Sequence, residues 1–120
     1  MPPREEFVGG VEEWRVTANA SNGAATATKA AETGQKHYVT GFSASVSGTV
    51  AASVVLAIRQ NGGATVRREF QIPNAAIAPV IYEFKRVLEV PVGLDVDITL
   101  PALGAGITGR VELLGFTRLA

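Results

Sequence analysis

Apolar and polar side chains alternate with a period of two along most of this chain. Within HYVTGFSASVSGTVAASVVLAIRQNGG, residues 37–63, Tyr38, Phe42, Ala44 and Val46 share one parity, and Ala52, Val54, Leu56 and Ile58 form a second such set. Strand side chains point alternately to opposite faces, so each set lines one face of a sheet. The two runs part at Ser47–Gly48 and end at Asn61–Gly62–Gly63. They predict a long antiparallel strand pair whose apolar face starts the core.

The same reading extends to the rest of the chain. Residues 11–18 predict a strand with Trp14, Val16 and Ala18 on one face, and NASNG (19–23) a turn in which Asn22–Gly23 can take positive φ. Residues 24–31, AATATKAA, are alanine-rich enough for a helix, but alternating Thr26 and Thr28 between turn signals predict a thin second strand. After the ETGQK turn (32–36) and the central runs, residues 64–72 form a strand with Val66, Phe70 and Ile72 on one face. Asn61–Gly62–Gly63 makes the clearest hairpin of the chain. A proline-bounded loop, 73–79, leads to a strand over 80–90. There Val80, Tyr82, Phe84, Leu88 and Val90 point in, Glu83, Lys85 and Glu89 point out, and Arg86 breaks the parity. A bulge at Arg86 explains the break; a short helix over 79–87 is the alternative. Residues 94–100 and 107–118 supply the last two strands.

About eight short strands with Gly, Asn and Pro between them specify an all-β fold. We expect a single antiparallel β-sandwich of jelly-roll type over residues 11–120, preceded by an extended N-terminal arm over residues 1–10. In the arm, MPPREEFVGG, Pro2 and Pro3 oppose regular pairing, Arg4 and two glutamates favour water, and Gly9–Gly10 form a hinge. Phe7 and Val8 are the apolar exception. Two readings stand side by side: a frayed terminus folding back on its own domain, or an anchor that docks on a neighbouring subunit.

Composition narrows the picture. Apolar residues make 47% and aromatic residues 7%, so the core is aliphatic. Eleven basic and eleven acidic side chains cancel, against the basic excess of nucleic-acid binders. Arg67–Arg68 and Lys85–Arg86 read as solvated edges or subunit contacts. The absence of cysteine removes thiol chemistry and Cys-based zinc sites. No apolar run reaches the ~20 residues of a membrane helix, and MPPREEF lacks a signal-peptide core. These features predict a soluble protein with no nucleic-acid or membrane partner.

Candidate chemistry is sparse. His37 is the one histidine and has no neighbouring carboxylate, so it reads as structural or solvent-facing. Asp95 and Asp97 share a strand face and are the only candidates for a metal or a carboxylate pair; the solvent face of an alternating strand accounts for them as well. Gly62–Gly63 and Gly104–Ala105–Gly106 lack the context of a phosphate loop. No catalytic, metal or cofactor residue is assigned.

Several segments together carry a family resemblance: KHYVTGFSASVSG (36–48), RQNGG (59–63), REFQIPNAAIAP (68–79), PVGLDVDITLPALGAGITG (91–109) and GRVELLGF (109–116). This order resembles small jelly-roll virion structural proteins of tailed bacteriophages and prophages, of the capsid decoration (cement) or tail and fibre type. The resemblance covers residues 36–116 and implies a non-enzymatic, homo-oligomeric protein, often trimeric. Its implied partners are copies of itself and a major capsid or tail protein, in a virion assembled in the bacterial cytoplasm. It brings no catalytic residues; the arm residues Pro2, Pro3, Arg4, Phe7 and Val8 are the partner-binding candidates. A carbohydrate-binding β-sandwich module is the alternative from another class, with Trp14 as its stacking candidate. A hydrolase using Asp95 and Asp97 is a third.

Overall fold

The computed structural model describes residues 11–75 and 79–119. The arm, with Pro2, Pro3, Arg4, Phe7 and Val8, lies outside the described residues, as does Ile77. Eight strands follow in order: β1 (Val11–Ser21), β2 (Ala25–Lys29), β3 (Gln35–Val46), β4 (Val54–Gln60), β5 (Thr65–Ile72), β6 (Val80–Glu89), β7 (Val96–Leu100) and β8 (Thr108–Leu119). Alternation rather than alanine content decides residues 24–31, and 79–87 is strand rather than helix.

The strands form two antiparallel sheets, ordered β1-β8-β3-β6 and β2-β7-β4-β5. Only β4 and β5 follow one another within a sheet; every other connection crosses between sheets. That is the jelly roll, the expected architecture. One expectation fails here. β3 and β4 do not pair: β3 lies between β8 and β6, while β4 lies between β7 and β5. Residues 47–53 carry the chain over the end of the sandwich instead, because each run buries one face against the opposite sheet. Val50 of this crossing is buried, and its neighbours bond across the end, Ala51 N–H to Leu103 O at 3.0 Å and Ser47 N–H to Thr108 O at 3.0 Å.

The core is aliphatic. Val39, Ala44, Val111 and Leu113 of one sheet meet Ala25, Ala27, Leu56, Ile58, Val96, Ile98 and Leu100 of the other, with Phe42 beside them. Each fully buried Leu, Ile or Phe contributes about 1.5–3 kcal/mol over leaving it in water. The β4–β5 hairpin forms at Asn61–Gly62–Gly63, and all three residues adopt positive φ.

Two irregularities place side chains where simple alternation does not. Between the pairs Val39↔Gly115 and Gly41↔Leu114, β3 advances two residues and β8 one, so Thr40 is an inserted residue. An extra residue flips every side chain beyond it. Inward positions are therefore His37 and Val39 on one side of the bulge and Phe42 and Ala44 on the other. Tyr38, expected inside, stacks on Phe116 at the outer face, their ring centroids 4.8 Å apart. Over the same step, from Leu88 to Glu83, β6 advances five residues against two in β3. Lys85, Arg86 and Val87 thus bulge outward, as the interrupted parity at Arg86 predicts. Gly41 is required at this crossing, because a Cβ there would overlap the carbonyl oxygen of Tyr82.

Candidate functional site

The residues with potential chemistry are mostly absorbed by the framework. His37 and Thr117 are fully buried between the sheets. His37 Nε2 lies 2.7 Å from Ala30 O, which can only accept, so Nε2 carries the hydrogen. Nδ1 is then free to accept the Thr117 hydroxyl hydrogen at 2.7 Å, while Thr117 Oγ1 accepts the Trp14 indole N–H at 2.9 Å. The chain of bonds satisfies every polar atom in it. Trp14 meets the His37 ring edge-on at 5.9 Å. Its indole is half-buried, packs against the core and carries Lys29 Nζ over its ring at 5.9 Å.

Asp95 and Asp97 separate in role. Asp97 is 4% exposed and takes a two-point contact from Arg59 on the adjacent strand β4, Nε to Oδ1 at 2.9 Å and Nη2 to Oδ2 at 3.2 Å. The expected solvent position is therefore corrected: β7 is an inner strand of its sheet, and Arg59 covers the carboxylate. Asp95 Oδ1 accepts the Gly62 N–H at 2.8 Å and caps the β4–β5 turn. Among the described residues no three His, Cys, Asp or Glu side chains gather as a metal site. No helix among them is long and apolar enough to cross a membrane.

Two surfaces remain. The first is the outer face of the β1-β8-β3-β6 sheet. A shallow depression of about 390 Å³ there is lined by Glu13, Trp14, Arg15, Thr40, Leu114, Gly115 and Phe116. Beside it, Glu112 accepts from Ser43 Oγ at 3.0 Å and pairs with Arg110 at 3.1 Å and Arg15 at 3.8 Å. Burial pushes the Glu112 carboxyl up, but the Ser43 hydroxyl, Arg110 and Arg15 outweigh it and hold it below its ordinary value. Lys36 is bonded to Glu89, which raises the lysine and lowers the glutamate.

The second surface is the side of the sandwich where β5 and β6 form the sheet edges. Strands meet across the sandwich at β1·β2, β2·β8 and β7·β8, away from this side. An aromatic cluster bridges it: Phe42 of β3 packs on Phe70 of β5 at 4.6 Å, and Tyr82 packs on Phe70 and Phe84, both at 5.3 Å. Phe42 is buried, but Tyr82 is 44% exposed, Val66 49% and Ile81 80%. The sequence pattern placed Tyr82 inside on parity alone. Parity names the face, and on an edge strand even an inward ring that packs on Phe70 and Phe84 keeps one side in water. Arg67 also escapes the simple pattern. β5 inserts one residue between Val66 and Arg68, and the Arg67 guanidinium reaches Gln60 Oε1 and the carbonyl of Glu89 at 3.0 Å.

No family model matches the chain. No curated protein sequence matches it either. Solved structures with a similar outline include the CBM36-1 domain of a multidomain xylanase from the hindgut metagenome of Trinervitermes trinervoides, 11% identical over 88% of this chain and 96% of that one, with a TM-score of 0.46. A second is a carbohydrate-binding module CBM36 in complex with calcium and xylotriose, 9% identical over 87% of this chain and 78% of that one, TM-score 0.37. A third is a GH26-CBM35 β-(1,4)-mannanase of Podospora anserina, 13% identical over 88% of this chain and 28% of that one, TM-score 0.42. Likeness of this degree assigns neither family nor ligand.

Proposed function

We propose that this chain is a non-catalytic structural protein of a bacteriophage virion, a capsid decoration (cement) subunit that assembles with its own copies and binds the head shell. The observation that carries this reading is the pair of edge strands β5 and β6, which leave Tyr82 44%, Val66 49% and Ile81 80% exposed. Large apolar side chains left in water along open sheet edges are what subunit contacts cover. The jelly-roll fold and the resemblance over residues 36–116 support the same role. A trimer is the expected assembly, and the virion, assembled in the bacterial cytoplasm, is the expected location. Co-expression with capsid and tail proteins from a genome that encodes this chain tests the reading. The chain should sediment with assembled shells and scatter light as an oligomer by itself. Sedimentation with tails would move the role to a tail or fibre component, and a monomer bound to neither would overturn it.

A second reading, a carbohydrate-binding module, has one observation in its favour: the stacked Tyr38–Phe116 pair beside a depression with Glu13, Arg15 and Thr40 on its walls. Aromatic faces next to polar side chains suit sugar rings. A glycan array with binding that Tyr38→Ala abolishes would establish it, and an array blank at high protein concentration would remove it.

A further inference from the structure

We propose that residues 3–7 of one copy add as an antiparallel strand to the free edge of β5 in a second copy. This rests on the self-assembly reading above and names the contact that would carry it. Among the described residues β5 pairs only with β4, so its outer edge offers unpaired backbone groups. Extended segments bind such edges through main-chain hydrogen bonds, with side chains setting the register.

The register is written in the charges. Antiparallel to β5, the sequence PREEF of residues 3–7 meets VRREF of residues 66–70 in reverse. With Glu5 opposite Arg68, Arg4 falls opposite Glu69, Glu6 opposite Arg67 and Phe7 opposite Val66. Arg68 and Glu69 are exposed, and Val66 is an apolar side chain half in water. Pro3 then falls opposite Phe70, at the aromatic cluster. Arg67 already donates to Gln60 and Glu89, so Arg4–Glu69 and Glu5–Arg68 are the charge pairs that fix the register. The parallel alternative with Glu5 opposite Arg68 puts Arg4 against Arg67 and Glu6 against Glu69, like against like, which opposed strands avoid.

Reach makes the contact intermolecular. Phe7 is four residues from Val11, where β1 begins, so it extends at most about 14 Å from there. β1 packs against β2, and β5 is the far strand of the β2-β7-β4-β5 sheet. An arm strand beyond β5 lies four strand spacings from β2, about 19 Å. A copy cannot fill its own edge. Each arm therefore lies on the next copy, a head-to-tail contact that closes into a ring when the rotation allows.

Charge exchange on the full chain tests this. The wild type, Glu5→Arg, Arg68→Glu and the double variant are compared by sedimentation, with thermal melts to verify folding. Each single reversal should weaken association about tenfold, and the double variant should recover it. The chain has no cysteine, so mixing Phe7→Cys chains with Val66→Cys chains should also give a disulfide-linked pair under mild oxidation. An oligomer that ignores both single reversals, or fails to recover in the double variant, overturns the arm contact and leaves the assembly reading standing. A wild type that stays monomeric at every concentration overturns both.

Discussion

His37 Nδ1 and Thr117 Oγ1 lie 2.7 Å apart, with both side chains fully buried between the two sheets. The pair joins β3 to β8 at the end of the sandwich where the β1 tryptophan also docks. Thr117→Val keeps the volume but leaves the Trp14 N–H and His37 Nδ1 without their partner. Leaving buried polar groups unpaired costs about 1–3 kcal/mol. Urea unfolding should show that loss, and Trp14, the only tryptophan, reports it directly through its fluorescence.

Gly115 faces Trp14 across the β1–β8 pair. An added Cβ would overlap the carbonyl oxygen of Tyr38 and stand 2.7 Å from the indole Cζ2. Gly115→Ala should therefore destabilise by about 3 kcal/mol, the upper end of the usual overpacking cost. Gly34→Asn is the contrast: Gly34 has φ +73° with nothing within 4 Å of an added Cβ, and asparagine tolerates that backbone region. Thermal melting of the two variants should separate them clearly.

Asp97→Asn removes one charge of a pair in which the carboxylate is buried and the guanidinium partly exposed. Breaking a buried pair costs about 3–5 kcal/mol, and the solvent access of Arg59 brings the expectation to about 2–3 kcal/mol. Asp95→Asn keeps a side-chain oxygen for the Gly62 N–H and should change little. A calcium titration that leaves the melting temperature of the wild type unmoved would confirm that the two aspartates serve the framework.

Acid should weaken the fold through Glu112. Its folded value lies below the ordinary 4.5, so its ion pairs stabilise fully above about pH 4.5, and that contribution is lost as pH falls through the lowered value. Lys36 runs the other way: raised above 10.5, it contributes below that pH and loses its contribution only as pH rises beyond it. Glu112→Gln should lower the melting temperature at neutral pH and flatten part of the decline below pH 4.5, as measured by melts across that range.

Much of the fold was legible because strand pairing in this chain obeys period two almost everywhere. Turn residues and alternation located all eight strands, including β2, where five residues of Ala, Thr and Lys offered little else. The Gly in the middle of β3 was the available signal for the Thr40 bulge, since glycine inside a strand often marks one. Thr117 gave no such signal: a threonine in a strand is ordinary until an indole and an imidazole converge on it.

By itself the sequence determined the all-β class, the strand positions, the β4–β5 hairpin and the aliphatic core, because local alternation and turn chemistry act over a few residues. Only the tertiary structure decided that β3 and β4 belong to different sheets, that Asp97 is covered, that Tyr38 faces out and that Tyr82 is left half in water. Each depends on which distant strand lies alongside. Hydrogen bonding between strands brings together residues far apart in the chain, and one inserted residue reverses the face of all that follow.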